Sequence, residues 1–322
     1  MRSTRHVVSR RTAGLGDLLV NLLVAWRFAE QTGRTLVADW RGSYYLQDPA
    51  ENLFCALFEP VSCLAGVPFV GRDDLSDVPY AEPFHPALWT RALLDRPPER
   101  GAADVMADRD AAVALVLAGE DVTAPTVVFD GCINDALPSS ERCREVLAEL
   151  RPVAGVRAEV EAFRAAHLDA RHVVAVHLRH GNGGEIGSHA RYWTDFDAAV
   201  ERCAAAARDA RARLGGDAAV FLATDAQPAA EAFLALVPDA VVRSKFFRRP
   251  GDGELHWWPL AFVSRVEAMV DLLLLAECDA LVRFPPGSFF SFYASIMKRK
   301  PPLVGPPREP VDPGAPEPLV VW

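Results

Sequence analysis

From residue 172 to residue 297, short apolar runs alternate with longer segments in which apolar residues recur at helical spacing. The runs predict four strands, at residues 172–178, 219–223, 240–243 and 279–284. The other segments predict four helices, at residues 194–214, 228–236, 259–277 and 288–297. Because parallel strands need a crossover connection, this order is typical of a doubly wound parallel sheet. Ligands of such sheets bind outside the carboxyl ends of the strands, and several unusual residues of this chain lie there.

The amino-terminal segment has the same strand–helix–strand order. His6–Ser9 is predicted to be a strand, and the glycine turn that follows it ends in Asp17, which we expect to be the N-cap of a helix. Gly33 is predicted to end this helix, and Leu36–Ala38 has the character of a buried strand. Such an opening implies a parallel sheet in this half of the chain as well.

The remaining segments set the predicted domain boundaries. Residues 41–120 are irregular and rich in proline and aromatic residues, and a helix predicted at residues 153–168 marks a boundary. We therefore expect an α/β domain at residues 1–165, a second α/β domain at residues 166–300 and a tail at residues 301–322. The tail holds eight prolines, so we expect it to cross the surface in extended form.

Charge and hydropathy exclude several classes of function. The net charge is −9, whereas a protein that holds nucleic acid through phosphate contacts is basic. The apolar run at residues 260–276 contains three charged residues, which excludes a membrane span there. The basic start followed by an apolar run superficially resembles an export signal, but Asp17 and Arg27 flank that short run. We therefore expect no nucleic-acid partner, no membrane span and no export.

The cysteines and carboxylates give no metal motif in a credible context. The six cysteines are scattered, and none forms a Cys-x-x-Cys pair or has histidine at zinc-finger spacing. In a chain of 322 residues this pattern favours reduced thiols and a cytoplasmic location. Asp108-Arg109-Asp110 has the spacing of an Asp-x-Asp metal motif, but it lies outside the carboxyl-terminal half and is expected to begin or cap a helix. We expect no bound metal and no other cofactor.

The first candidate motif is HLRHGNGGE, which begins at His177 and follows a purely apolar strand. Arg179 would lie at the carboxyl edge of the sheet, where its planar fork of donors suits a diphosphate. The glycines would let backbone amides approach a ligand closely. The alternative is a strand-end arginine that pairs with a nearby carboxylate, beside a turn that needs glycine only for its geometry.

Two further motifs carry polar residues in apolar surroundings. Thr224 and Asp225 end the next predicted strand, where they would contact ribose or phosphate, or cap the following helix. Asp271 interrupts an apolar helical face, so its carboxylate must be paired or hydrogen-bonded. It would either pair with an arginine or accept the adjacent N1–H and 2-amino groups of guanine.

The fourth motif is FPPGS at the end of the last predicted strand. Its prolines stop the strand, and Ser288 stands where the next helix begins. A helix N-terminus with a serine hydroxyl can seat a phosphate. A plain serine N-cap is the alternative.

Together these motifs resemble the bacterial nodulation protein Z fucosyltransferases and, more distantly, the animal α1,6-fucosyltransferases of glycosyltransferase family 23. The stretch that begins GLGDLLVNLL is similar to the amino-terminal signature of that family. VAVHLRHGNGGEIGSH and VFLATD are similar to its first two donor motifs, and Met269–Met297 is similar to the third. The order and approximate spacing also match. The resemblance covers residues 11–60 and 170–300.

The resemblance implies a GT-B-like α/β architecture, in which two Rossmann-like domains face a cleft. The carboxyl-terminal domain would hold GDP-fucose, and the amino-terminal domain would help to hold the acceptor, a glycan or a small molecule. Fucose would pass to an acceptor hydroxyl with inversion of the anomeric centre and without a metal ion.

The resemblance also implies roles for particular residues. Arg179 would clamp the β-phosphate, and His177 and Asp271 would read guanine. The other residues expected at the nucleotide are His180, Asn182, Thr224, Asp225, Pro286, Ser288 and Phe289. Glu185 or His189 would be the general base, since both follow the first motif on the same loop. His180 stands where the animal enzymes carry a second arginine, so we expect the second cation to be weaker or pH-dependent.

Two other classes of protein stay open from the sequence. One is a transferase of a different nucleotide sugar, in secondary-metabolite or surface-glycan synthesis, which a screen of donors would separate from fucosyl transfer. The other is a non-catalytic nucleotide-sugar binding protein, which would bind GDP and show neither transfer nor slow hydrolysis of the donor.

Overall fold

The computed structural model describes residues 5–43, 45–95, 109–131, 134–168, 172–181, 192–249, 264–298 and 317–322. Contacts between residues divide the chain into two compact units. The first comprises Met1–Val153 with Pro259–Arg265, and the second comprises Ala154–Trp258 with Val266–Trp322. Each unit contains its own mainly parallel sheet and its own helices, which confirms the predicted α/β class.

The sheet of the first unit has six strands in the order β3-β4-β2-β1-β6-β5. The strands are β1 His6–Arg10, β2 Thr35–Asp39, β3 Cys63–Leu64, β4 Val67–Val70, β5 Phe84–His85 and β6 Thr126–Phe129. All pairs are parallel except the short antiparallel pair of β3 and β4. The strand–helix–strand opening therefore forms a parallel sheet, as predicted.

The helices described in the first unit are α1 Leu15–Thr32, α2 Leu53–Leu57, α3 Arg91–Asp95, α4 Arg109–Ala118 and α5 Ser140–Glu149. The predicted N-cap of α1 is wrong, because the helix begins at Leu15 with Gly14 as its N-cap. Asp17 lies instead in the first turn, where a carboxylate favours the positive end of the helix dipole. Gly33 ends the helix as predicted, with φ 64° in the left-handed region that glycine adopts without strain.

The sheet of the second unit has five strands in the order β11-β10-β7-β8-β9. The strands are β7 Val173–Leu178, β8 Ala219–Thr224, β9 Val241–Val242, β10 Ala280–Phe284 and β11 Leu319–Val321. The first four along the chain are parallel, as predicted, and β11 pairs antiparallel with β10. Leu319–Val321 was expected to belong to the extended tail, but it forms the edge strand of this sheet.

The helices described in the second unit are α6 Ala154–His167, α7 Phe196–Arg213, α8 Gln227–Leu236, α9 Arg265–Ala276 and α10 Phe289–Met297. The prediction for α9 began at residue 259, and residues 259–263 lie outside the described residues. In the described part of the chain, no helix combines the length and apolar character needed to cross a bilayer.

Helices cover both faces of the second sheet. One face packs on α7 and α8, and the buried alanines of α7 let this helix approach the strands closely. Alternate strand residues point to the other face, where Phe221 meets Phe163 of α6 and His177 meets Phe290 of α10. Strands β8 and β9 extend the sheet on one side of β7, whereas β10 lies on the other side. The order of strands therefore reverses between β7 and β10, which is where doubly wound sheets bind ligands.

Candidate functional site

Arg179 and Asp225 come together at the carboxyl edge of the second sheet. Arg179 directly follows β7, and its backbone N–H donates to the carbonyl of Phe284 at 2.8 Å. Its guanidinium forms an ion pair with the carboxylate of Asp225, the residue that follows β8. Both side chains are largely buried, with 18% and 16% of their surface exposed. This pair is the arrangement that the sequence analysis gave as the alternative to a phosphate clamp.

Asp225 also fixes the backbone turn that follows Arg179. Its two carboxylate oxygens accept the backbone N–H groups of His180 at 2.8 Å and Gly181 at 2.9 Å. Gly181 has φ 74°, which explains why the turn carries glycine. Burial opposes ionisation of Asp225, but Arg179 and the two N–H donors outweigh it and hold the pKa of this carboxyl below its usual value. The carboxylate of Asp225 therefore binds both the guanidinium of Arg179 and the backbone of the His180–Gly181 turn.

His177 is a buried histidine in β7 whose ring stacks on Phe290, with centroids 5.2 Å apart. Its Nδ1 has no hydrogen-bond partner among the described residues. Burial, together with the positive charges of Arg179, Arg283 and Lys245, lowers the pKa of His177 to about 3. The ring is therefore neutral at pH 7 and has an unused polar atom in a buried place.

The surroundings of His180 disfavour its positively charged form. Its ring packs edge-on against Trp193 and Phe196, with centroids 4.8 and 5.3 Å away. Burial and the charge of Arg179 lower the pKa of His180, although Asp225 opposes them. Trp193 in turn donates its Nε1–H to the carbonyl of Arg179 at 2.9 Å. These surroundings therefore favour the neutral ring of His180.

The hydroxyl of Thr224 serves the turn into α8. It accepts the backbone N–H of Ala226, the N-cap residue of α8, at 3.3 Å. Thr224 is buried at the end of β8. This bond stabilises the turn, and it does not cap a helical N–H, because α8 has no side-chain cap. The ribose or phosphate contact of Thr224 stays a prediction.

Asp271 pairs with two cations. One carboxylate oxygen accepts from Arg243 at 3.2 Å, and the other is bonded to the ammonium group of Lys245. Arg243 also pairs with Glu159 of α6 at 3.0 Å. Asp271 is 4% exposed, so the two cations stabilise a buried carboxylate that would otherwise be costly. The structure therefore contains the ion pair that the sequence analysis gave as the alternative to guanine recognition.

The turn that contains Pro286 joins β10 to α10. Ser288 is the N-cap residue of α10, but its side chain makes no capping hydrogen bond. Its backbone N–H donates to the carbonyl of Pro285 at 3.1 Å. Phe289, the first residue of the helix, is half-buried. The predicted start of the helix is therefore confirmed, while its serine cap is wrong, because the side chain accepts none of the helical N–H groups.

Arg283 is a site residue that the sequence analysis missed. It lies in β10 and is 5% exposed, and in the register of the sheet it is the partner of His177. Its guanidinium donates to the carbonyl of Pro286 at 2.8 Å, the carbonyl of Ser288 at 3.3 Å and the hydroxyl of Ser291 at 3.2 Å. Burial lowers the pKa of Arg283 to about 10, so the group stays charged at pH 7. An arginine inside the otherwise apolar strand ALVRF was the available signal.

Three predicted site residues, Asn182, Glu185 and His189, lie outside the described residues. Asp108 lies outside them too, and within the described residues no group of three metal-ligating side chains comes together. Asp195 and Asp197 also have the spacing of an Asp-x-Asp motif. Asp195 is the N-cap of α7 and accepts the N–H of Ala198 at 3.0 Å.

Comparison with known proteins gives the same family along most of the chain. The profile of the family described as nodulation protein Z (NodZ) matches residues 3–301. Nodulation protein Z of Sinorhizobium fredii is 36% identical over 293 residues, which cover 91% of this chain and 90% of that protein. Nodulation protein Z of Bradyrhizobium diazoefficiens is 37% identical over 296 residues, covering 91% of this chain and 79% of that protein.

Solved structures agree with this assignment. A crystal structure of the NodZ α1,6-fucosyltransferase soaked with GDP-fucose has a TM-score of 0.74 and 32% identity, covering 92% of this chain and 93% of that chain. The same enzyme co-crystallised with GDP has a TM-score of 0.74 and 33% identity, covering 91% and 92%. POFUT1 in complex with GDP has a TM-score of 0.52 at 15% identity, covers 93% of this chain and 98% of that chain, and shares the fold alone. The chain belongs to the nodulation protein Z family, and its fold is the GT-B-like α/β fold of these fucosyltransferases.

Proposed function

We propose that this chain transfers a fucosyl group from GDP-fucose to a hydroxyl group of a glycan or small-molecule acceptor. The observation that carries the proposal is family membership over nine-tenths of the chain, combined with the Arg179–Asp225 pair at the switch point of a parallel sheet. The related NodZ enzyme has been crystallised with GDP and soaked with GDP-fucose, which suggests the same donor here.

In this reaction the bond between C1 of the sugar and the β-phosphate oxygen breaks, and GDP leaves with the electron pair. A bond forms from the acceptor oxygen to C1, and the hydroxyl proton passes to a general base. We assign the base to Glu185 or His189. Attack from the face opposite the departing GDP inverts the anomeric centre.

Arg179 is the group that we assign to the departing diphosphate. Negative charge grows on the phosphate as the bond breaks, and without a metal ion fixed donors must stabilise it. A guanidinium has five N–H donors, so Arg179 can keep its bond to Asp225 and still bind a phosphate. Because His180 and Gly181 fix Asp225, the guanidinium is oriented before the donor arrives.

Guanine recognition is assigned to Asp271 and His177. Each carboxylate oxygen has two lone pairs, so Asp271 can accept from Arg243 or Lys245 and also from a guanine N–H. The unused Nδ1 of His177 offers a further polar contact in the same neighbourhood. Adenine lacks the adjacent N1–H and 2-amino donors, and a buried carboxylate therefore favours GDP over ADP.

The remaining nucleotide contacts are assigned around the turn before α10 and the turn after β7. The Ser288 hydroxyl, which caps no helical N–H, and the N-terminus of α10 would hold the diphosphate. The other lining residues are His180, Asn182, Thr224, Asp225, Pro286 and Phe289. The amino-terminal domain would take the acceptor.

We also propose that the protein works in a reducing compartment, the cytoplasm. The basis is the scatter of its six cysteines along a long chain. The described cysteines Cys55, Cys63, Cys143, Cys203 and Cys278 form no disulfide with one another.

A thermal-shift series with nucleoside diphosphates tests the donor assignment. A ligand that binds only the folded state at a hundredfold excess over its Kd stabilises that state by roughly 2.7 kcal/mol. We expect GDP and GDP-fucose to raise the Tm, and UDP, ADP and TDP to raise it much less. A larger shift with UDP than with GDP would contradict guanine recognition.

A further inference from the structure

Arg283 is a buried cation without a counter-ion among the described residues. It is 5% exposed, and its acceptors are two carbonyls and one hydroxyl, all neutral. The ring of Phe292 lies 5.8 Å from the guanidinium carbon and adds only a cation–π contact. A buried charge is costly unless an opposite charge compensates it, so a protein retains one where an anion arrives.

The guanidinium of Arg283 is bonded to the turn that begins α10. Its Nη2 donates to the carbonyls of Pro286 and Ser288, and its Nε donates to Ser291 in the first turn of the helix. Nε and Nη2 make all the hydrogen bonds of this group to described residues, so Nη1 remains available. The same helix start has no side-chain cap. One buried cation therefore fixes an uncapped helix N-terminus, and both carry positive charge.

His177 gives a second, independent sign of a ligand at this place. It is the sheet partner of Arg283, it is 4% exposed, and its Nδ1 has no described partner. His177 thus has a buried polar atom without a described partner, beside an arginine whose Nη1 makes no described hydrogen bond. Buried polar atoms in folded proteins are nearly always satisfied, so the exception at His177 indicates a bound molecule.

We propose that Arg283 is a positioning residue for the donor diphosphate, and that it supplies a second positive charge beside that of Arg179. It acts through the Pro286–Ser288 turn, which it holds so that the Ser288 hydroxyl and the N-terminus of α10 meet the phosphates. This inference rests on the proposed use of a nucleoside-diphosphate donor. It adds to that proposal the positive charge of Arg283, which lies inside the sheet in β10, whereas Arg179 lies in the loop after β7.

The test compares the affinities of purified variants for GDP and for guanosine, measured by calorimetry. In Arg283→Gln, whose amide stands near the position of the arginine Nε that bonds Ser291, the ratio of GDP to guanosine affinity should fall at least tenfold. Arg283→Lys keeps the charge and should recover most of the ratio. Ser291→Ala is the matched control, because it removes one bond to Arg283 and no charge, and its ratio should stay within twofold of wild type.

A purely structural role, in which neither the charge of Arg283 nor the turn that it holds affects the diphosphate, predicts a different set of results. Arg283→Gln, Arg283→Lys and Ser291→Ala would then lose stability while the affinity ratio stayed at the wild-type value, and this outcome would overturn the proposal. Since removal of an uncompensated buried charge relieves a cost, Arg283→Gln should fold. If neither Arg283→Gln nor Arg283→Met folds, the cation is required by the fold itself, and the proposal is also overturned.

The wild-type protein separates this inference from the proposed donor. If wild type binds UDP more tightly than GDP, the GDP-fucose proposal is wrong. The ratio of UDP to uridine affinity then tests Arg283 in the same variants. A wild type that prefers GDP, together with an unchanged ratio in Arg283→Gln, removes Arg283 alone.

Discussion

At the scale of single residues, Arg179 has two partners that it must satisfy together, the carboxylate of Asp225 and the proposed diphosphate. Lysine at this position keeps the charge but lacks the planar fork, so it can serve only one of them well. We expect Arg179→Lys to fold normally and to lose turnover by tenfold or more, measured as GDP release from GDP-fucose.

The control for this variant is another arginine–aspartate pair of the same unit. Arg211, in the last turn of α7, pairs with Asp239 at 2.6 Å. Arg211→Lys should leave turnover unchanged. Wild-type turnover in Arg179→Lys would leave Arg179 as a structural cation only.

Asp271 is the residue at which guanine recognition and an ion pair make different predictions. Asp271→Asn keeps the shape but turns one acceptor oxygen into a donor, which would face a guanine N–H. A buried donor left unpaired costs roughly 1–3 kcal/mol, so affinity for GDP should fall and the preference for GDP over ADP should shrink by a similar free energy. Calorimetry with both nucleotides measures this preference.

Both readings of Asp271 predict a lower Tm, because the substitution also weakens the bonds to Arg243 and Lys245. Glu159→Gln is the control, since it removes the other carboxylate that pairs with Arg243 and leaves Asp271 intact. Its nucleotide preference should match wild type. If the preference is also unchanged in Asp271→Asn, Asp271 belongs to the ion pair and not to the nucleotide site.

At the scale of secondary-structure elements, the edge strand β11 covers part of the hydrophobic core of the second unit. Val320 packs against the core formed with α7 and α8, whereas Val321 is not part of that cluster. Burying a carboxylate without a partner is costly, so Val320→Asp should lower the free energy of unfolding by about 1–3 kcal/mol more than Val321→Asp. Chemical denaturation of both variants measures the difference. Equal losses would mean that β11 does not cover the core.

The elements show why some of the fold could be predicted and some could not. Strands β7, β8 and β10 are mainly apolar runs, with His177 and Arg283 as exceptions in β7 and β10, which is close to the pattern of strands buried on both faces. Strand β11 has three residues and follows a proline-rich segment, so its pairing depends on a neighbour far away in sequence. The N-cap of α1 was misplaced because a glycine and an aspartate both suit that position.

The same distinction applies to the candidate site. Arg179 and Asp225 could be placed together, because they follow strands that the alternating pattern makes neighbours. Lys245 and Arg283 could not, because nothing local shows that Lys245 reaches a carboxylate 26 residues away or that Arg283 bonds the turn after its own strand. Their roles depend on tertiary contacts, which a single sequence does not display.

At the scale of the whole molecule, we propose that charges fixed in the second sheet of this fucosyltransferase hold its donor. Every cation assigned to the diphosphate is a side chain, so chelation of divalent metal ions should leave the reaction intact.

The most direct measurement is release of the nucleoside diphosphate, GDP or UDP, from a panel of donors in the presence of EDTA, with Arg179→Lys as the control protein. The account predicts turnover of GDP-fucose, by transfer or by slow hydrolysis, that exceeds turnover of GDP-mannose and UDP-glucose, that persists in EDTA and that drops in Arg179→Lys. If the wild-type protein released GDP from GDP-fucose no faster than Arg179→Lys does, the result would contradict the proposed function. Faster turnover of UDP-glucose than of GDP-fucose would contradict it as well.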